Sequence, residues 1–173
     1  MMVPLKRKDS SVSHTANLLT SILLCYPEIA TINLDPKTNL VRFNFYLSTS
    51  LTGDAVDMFK ERLQQSLDTY YFLLNKDVEA SSISFQTQDC FTILEFQRDV
   101  LTLTQKEIAL IIAMLQEQFG DNLIAEEDDD LLVDDLSLNE ELIGHMLEHT
   151  IETSNNSRLI ALRDEGRVLV FNK

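Results

Sequence analysis

Tryptophan is absent from this chain, and glycine, proline and cysteine are scarce: four, three and two residues among 173. Each shortage excludes something. Gly53, Gly120, Gly144 and Gly166 are too widely separated to form a loop whose backbone N–H groups wrap a phosphate. The paucity of glycine and proline also removes the punctuation that an all-turn β architecture needs. Cys25 and Cys90 stand far apart, beside apolar or aromatic neighbours, so neither a disulfide framework nor a C-x-x-C motif exists. Two free thiols in a reducing compartment are expected, neither with the electropositive setting that activates a nucleophile. Long hydrophobic runs are missing as well. Nothing approaches the roughly 18 consecutive apolar residues of a membrane span, and Leu18 to Leu24 is interrupted by Thr20 and Ser21, which argues against a signal peptide. A cytoplasmic protein without a membrane partner is expected.

Basic charge is the last shortage. Fourteen Lys and Arg face 28 Asp and Glu, a formal net charge of −14. Residues 126–152 hold eleven acidic side chains and no Lys or Arg, whereas residues 153–173 carry four basic against two acidic. Such a field repels phosphate backbones, and the one compact basic run, Lys6-Arg7-Lys8, is too small to reverse it. Direct nucleic-acid binding is not expected.

What is present is a 45% hydrophobic, 24% charged chain, enough for a sizeable core. Ser11 or Ser13 can cap a helix that runs to about Cys25, where Pro27 stops it. Ile29–Leu34 and Leu40–Leu47 then flank the turn-forming Asp35-Pro36-Lys37-Thr38-Asn39. In the second run Val41, Phe43, Phe45 and Leu47 alternate with Arg42, Asn44 and Tyr46, the mark of a half-buried strand. From Asp54 to about Asn75 apolar residues recur every three or four positions, giving a long amphipathic helix. A second hairpin is expected over 81–98, turning near Asp89. Thr104-Gln105-Lys106-Glu107 is a capping-box sequence that opens another helix, ending near Gly120.

Ser137-Leu138-Asn139-Glu140 is a second capping-box match, so a helix is expected from Ser137 to about Glu152. A third hairpin follows, with Arg158–Leu162 and Arg167–Phe171 around Arg163-Asp164-Glu165-Gly166. A helix–hairpin unit thus occurs three times. Short hairpin links demand antiparallel strands, and helices between hairpins must cover one face of the sheet. The expected fold is a two-layer α+β sandwich. Its divisions are a flexible N-terminus (1–10), an α+β body (11–125), an acidic linker (126–136) and a C-terminal helix–hairpin module (137–173), whose hairpin either extends the sheet or pairs with another chain.

Two stretches could carry function. The linker interleaves aliphatic with acidic residues: Leu131, Leu132, Val133, Asp134, Asp135 and Leu136. A mere spacer gains nothing from exposing aliphatic side chains, so these residues are candidates for binding a protein partner, with the carboxylates steering toward a basic surface. An EF-hand is excluded, since a loop begun at Asp128 has Val133 where glycine is needed and Asn139 where a bidentate glutamate is needed. The second stretch is His145-Met146-Leu147-Glu148-His149, which matches the H-x-x-E-H pattern of inverzincin metallopeptidases. On a helix Glu141, His145 and His149 form one stripe and are candidate ligands for a divalent metal such as zinc. The match covers five residues, and beyond Glu152 the only later carboxylates are Asp164 and Glu165, in an expected turn. A solvated helix face accounts for the same residues.

The reading is a non-catalytic interaction or regulatory protein without a cofactor, acting through self-association (a homodimer) or another protein by way of the acidic segment and C-terminal module. The alternatives are a metal-dependent hydrolase centred on His145, Glu148 and His149, and an acidic nucleic-acid mimic.

Overall fold

The alternation along Leu40–Leu47 produces a strand with one dry face: Val41, Phe43, Phe45 and Leu47 are buried while Arg42 is exposed. In the computed structural model, which describes residues 3–126, 133–149 and 158–172 (side chains over 14–126, 140–148 and 158–172), this strand lies near the middle of a single sheet. The strands are β1 (Thr31–Asp35), β2 (Leu40–Leu47), β3 (Ser81–Thr87), β4 (Thr92–Asp99), β5 (Leu159–Asp164) and β6 (Arg167–Asn172). All pairings are antiparallel, in the order β3-β4-β2-β1-β5-β6. The third hairpin therefore extends the sheet formed by the first two.

Register puts the apolar residues of neighbouring strands on the same face. Ile32 is opposite both Phe43 and Ala161, and Phe43 is opposite Phe96, which in turn faces Ile83. Four helices cover this face: α1 (Val3–Cys25), α2 (Gly53–Leu74), α3 (Gln105–Phe119) and α4 (Val133–His149). They lie side by side in the order α1-α4-α3-α2, with α1 over β5 and β6. This is the expected two-layer α+β sandwich. Leu18, Leu19, Ile22 and Leu23 of α1, Leu63 and Leu67 of α2, Ile111 and Leu115 of α3 and Ile143 of α4 are each 2% exposed or less. Side chains of this kind each contribute about 1.5–3 kcal/mol on burial, and they unite the helices and sheet in one core.

Helix ends follow their sequence signals in part. Thr52 Oγ1 accepts from the Ala55 N–H and opens α2, and Asn75, at φ 53°, closes it. Thr104 Oγ1 accepts from Glu107 N–H and opens α3 as expected. The reciprocal half of that capping box is not made, because the Glu107 carboxylate is taken by Arg98. Two helices start earlier than the sequence suggests. α1 begins at Val3, ahead of Ser11 and Ser13, and α4 begins at Val133, which places Ser137 inside the helix instead of at its cap.

The C-terminal elements are fastened to the rest by more than strand pairing. Arg163, at the end of β5, donates from its guanidinium to the carbonyls of Tyr26 (2.9 Å), Pro27 (3.3 Å) and Ile29. These carbonyls belong to the turn leaving α1, where Tyr26 O also accepts from Ile29 N–H and Pro27 O from Glu126 N–H, so one cation ties β5 to that turn. Residues after α3 contribute too. Leu123 bridges Leu47, and Ile124 N–H donates to Tyr46 O at 2.9 Å, so this segment continues along β2 where β1 stops pairing with it.

Candidate functional site

The histidine stripe sits on the outward side of α4. Glu141 and His145 are exposed, one turn apart, while Ile143, Met146 and Leu147 point into the core. The side chain of His149 lies outside the described residues. Among the described residues no three His, Cys, Asp or Glu side chains converge as metal ligands. Of the acidic partner-binding candidates, Leu131 and Leu132 lie outside the described residues. Val133, Asp134, Asp135 and Leu136 belong to the first turns of α4, with side chains likewise outside them.

A second cluster was not legible in the sequence. Arg98 on β4 is fully buried, and its Nε donates to Glu107 Oε2 of α3 at 2.7 Å. Its Nη1 bonds the Ala80 carbonyl (3.1 Å), Thr102 Oγ1 (3.0 Å) and Asp99 Oδ1. Asp99 in turn accepts from Ala80 N–H (3.1 Å), Thr102 N–H (3.0 Å) and the Thr102 hydroxyl (2.6 Å). Burial works against the Asp99 charge, but the Thr102 hydroxyl, the Ala80 N–H and Arg98 outweigh it and hold the carboxyl below its ordinary range. Tyr71 of α2 closes the cluster with Arg98 over its ring, and burial, reinforced by Glu107, pushes its phenol well up. Arg98 Nη2, Glu107 Oε1, Tyr71 OH and Ser81 Oγ are buried here without a protein hydrogen-bond partner. The residue types would suit proton chemistry. Arg98 and Glu107, however, are 0% and 1% exposed, so no substrate reaches them, and the cluster works as a polar rivet joining β3, β4, α2 and α3.

Two of the surface hollows are formed by described residues alone. One, of about 160 Å³, is lined by Asn33, Asp35, Leu40, Arg42, Arg158 and Ile160, with Arg158 bonded to Asp35 at 3.0 Å. The other, of about 440 Å³, lies between α2 and α3 beside Met58, Phe59 and Phe119, with Arg62 donating to Gln118 at 2.8 Å. In each, the arginine is already engaged by a neighbour.

The remaining feature is the sheet's uncovered face, which changes character along its width. One cross-strand row begins with Phe171 and Ile160 and then turns polar through Asn33, Arg42 and Gln97. The next begins with Leu169 and Leu162 and turns polar through Thr31, Asn44 and Glu95. The polar residues are bonded among themselves, Asn44 to Thr31 at 2.7 Å and Arg42 to Gln97 at 2.9 Å. Among the described residues no helix lies over the apolar quartet Ile160, Leu162, Leu169 and Phe171, and Phe171 is 51% exposed.

This quartet adjoins the outer edge of β6, which pairs with no other strand among the described residues. Glu165 (φ 50°) and Gly166 (φ 77°) form the two-residue turn of a hairpin with positive φ at both central positions, the conformation that matches strand twist. Asp164 and Arg167 are then the hydrogen-bonded pair that closes the hairpin, and bonding alternates from there. The backbone groups of Arg167, Leu169 and Phe171 thus face β5, and those of Val168, Val170 and Asn172 face outward. The opposite edge, β3, differs: Ser82, Ser84 and Gln86 cover its outer face.

The chain matches no known protein-family profile, no curated protein and no solved structure. The fold is an α+β sandwich with one sheet face uncovered among the described residues.

Proposed function

We propose that this chain is a non-catalytic binding protein whose working surface is the outer corner of the β5–β6 hairpin, where a partner strand adds to the edge of the sheet. One observation carries the reading: the apolar quartet and the unpaired backbone of β6 are contiguous. An edge strand offers main-chain hydrogen bonds for affinity, and side chains on alternate positions give selectivity. Natural edges are usually blunted by charge, proline or a bulge. Here Arg167 and Asn172 bound an uninterrupted Val168-Leu169-Val170-Phe171, with no charge between them. Phe72 and Leu73 at the end of α2 are more exposed, at 83% and 74%. They lack the row of unsatisfied backbone groups that β6 adds.

The chain's chemistry agrees with a binding role. The buried ionic cluster seen among the described residues is closed to solvent, and the two hollows described present no nucleophile–base pair. The acidic segment ahead of α4 carries concentrated negative charge in the sequence and would steer partners with basic rims. A photo-activatable phenylalanine derivative placed at Leu169 tests the reading in living cells, with the same residue at Ser84 on the opposite edge as control. Discrete protein adducts from position 169 that are absent at 84 are expected. Equal or no adducts at both positions would remove the proposal.

A further inference from the structure

We propose that the hollow between α2 and the C-terminal end of α3 is a binding site for a small carboxylate with an apolar body. The site lies in the helical layer and shares no residue with the β5–β6 corner, so either reading can fail without the other.

Ala55, Met58, Phe59 and Arg62 recur at helical spacing on α2 and line the hollow as one stripe. Phe119 and Gln118 of α3 line it as well, together with Leu51 from the loop before α2. Phe59 is 3% exposed, and its ring is held from two sides, with Phe119 at 4.9 Å and 58° and Phe85 at 6.1 Å and 89°. The floor is therefore aromatic and fixed in place. Met58 is 67% exposed, and its flexible thioether is suited to fold over an occupant. At about 440 Å³ the hollow has the size of a small-molecule site, a class that runs from about 300 to 1,000 Å³.

Charge selects the occupant. Among the described residues Arg62 is the only ionisable side chain lining the hollow, in a chain of net charge −14. Its Nη1 donates to Gln118 Oε1 at 2.8 Å, which steadies the guanidinium between the two helices. The N–H groups of Nε and Nη2 remain, and that pair fits the two oxygens of a carboxylate. Other polar groups here are already committed: Thr49 O accepts from the Thr92 hydroxyl at 2.9 Å, and Asn122 O from Ser48 N–H at 2.7 Å. An apolar body with one anionic head therefore gains more than a neutral polar ligand. Multiply charged anions are disfavoured for a separate reason. Asp54, Asp57, Glu61, Glu117 and Asp121 each adjoin a lining residue in sequence without lining the hollow, and their repulsion grows with ligand charge.

The test titrates the full chain with phenylpropanoate at neutral pH and follows the backbone amides by NMR. Saturable shifts centred on Ala55, Met58, Arg62 and Phe119 are expected, with a Kd of about 1 mM or tighter. The neutral amide of the same acid and the dianion benzylmalonate are each expected to bind at least about tenfold more weakly. Arg62→Met keeps an apolar stem, removes the charge and is expected to weaken phenylpropanoate by a similar factor. Ala55→Phe fills the hollow and is expected to abolish the shifts. Arg42→Met, in the other hollow, is expected to leave them unchanged. The amide spectrum of each variant away from the substitution checks that it is folded, and Arg62→Met alters an exposed residue, so it decides the matter even if Ala55→Phe does not fold.

No saturable shift at these residues up to about 10 mM acid would overturn the inference. So would equal binding of the neutral amide, tighter binding of the dianion, or undiminished binding to Arg62→Met. Shifts that persist in a folded Ala55→Phe protein would place the acid elsewhere and remove the proposal. The rival occupant is a protein. A photo-activatable side chain at Met58 that yields discrete protein adducts in cells, while the acid produces no shifts, would assign the hollow to that partner and sink the small-molecule reading.

Discussion

Arg98 Nε lies 2.7 Å from Glu107 Oε2, with both side chains almost wholly withdrawn from water. The pair joins a residue of β4 to one in the first turn of α3, and the chain reverses between them through Thr102 and the Thr104 cap. Breaking such a pair strands a charge in the interior, whereas replacing both partners with apolar groups does not. Glu107→Leu and Arg98→Met alone are each expected to cost about 3–5 kcal/mol, and the double variant is expected to recover only part of that loss, because Asp99 stays buried without the guanidinium. Urea unfolding of the four proteins measures it. If the double variant is as unstable as the sum of the singles, the two groups act independently and the pairing argument fails.

Asp99 gives the acid side of the stability curve its shape. Its carboxyl is held below the ordinary value by Thr102, Ala80 and Arg98 against the effect of burial. A depressed native pKa means the unfolded state binds the proton more readily. The stabilisation is therefore complete above the unfolded value of about 3.9 and is lost as pH falls through the native one. Asp99→Asn is expected to lower stability at neutral pH and flatten the decline below about pH 4. Denaturant midpoints taken between neutral and acid pH check the sign, and a steeper acid limb in the variant would contradict it.

The two thiols should separate by access. Cys25 is buried in the core, where burial foremost, with Glu140 adding, pushes its pKa to about 11, while Cys90 is exposed in the β3–β4 turn. A thiol reagent at pH 8 is expected to modify Cys90 in the native protein and Cys25 only after unfolding. Peptide mapping after limited labelling distinguishes them. Comparable rates at both residues would mean that the end of α1 opens readily.

The β5–β6 turn carries a measurable strain. Glu165 occupies φ 50° without being glycine or asparagine, and Gly166 occupies φ 77°. Gly166→Ala is expected to cost roughly 1 kcal/mol, since an L side chain is disfavoured there. Glu165→Asn is expected to gain roughly 0.5 kcal/mol, as asparagine tolerates this region better. Thermal melts under dilute conditions test both. Opposite signs would place the hairpin in another turn type.

Much of the architecture was legible because strand and helix periods are strong where one face is buried. Val41 to Leu47 alternates without a break, and α2 buries Phe59, Leu63, Leu67 and Tyr71 at intervals of four. The starts of α1 and α4 were not legible. The charged stretches at or beside their first turns look like linker in a sequence window, and the cap candidates at Ser11, Ser13 and Ser137 drew the boundaries inward. The Arg98 cluster was invisible for another reason. Arg98 sits at an alternating position of β4, yet only the β3–β4 register and the placement of α3 bring Ala80, Tyr71 and Glu107 around it. The outer corner was hidden by symmetry of composition. Arg158–Leu162 and Arg167–Phe171 are apolar at both alternating sets, so period alone cannot say which set meets the helices. Pairing of β5 with β1 decides it, by putting Ala161 opposite Ile32 and Ile160 opposite Asn33.

The insertion of β5 beside β1 also has a consequence for synthesis. β1 leaves the ribosome well before its second neighbour, β5, which follows only after β2, β3, β4 and the helices between them. Until residues 159–164 arrive, β1 forms the border of a four-stranded sheet with Ile32 and Leu34 incompletely covered. Arg163 arrives at the same moment, and with it the guanidinium that ties β5 to the turn after α1. A nascent chain paused before this point therefore holds most of its core but lacks its closure. It is in that interval that a chaperone has most to protect and a stalled chain has most opportunity to pair wrongly.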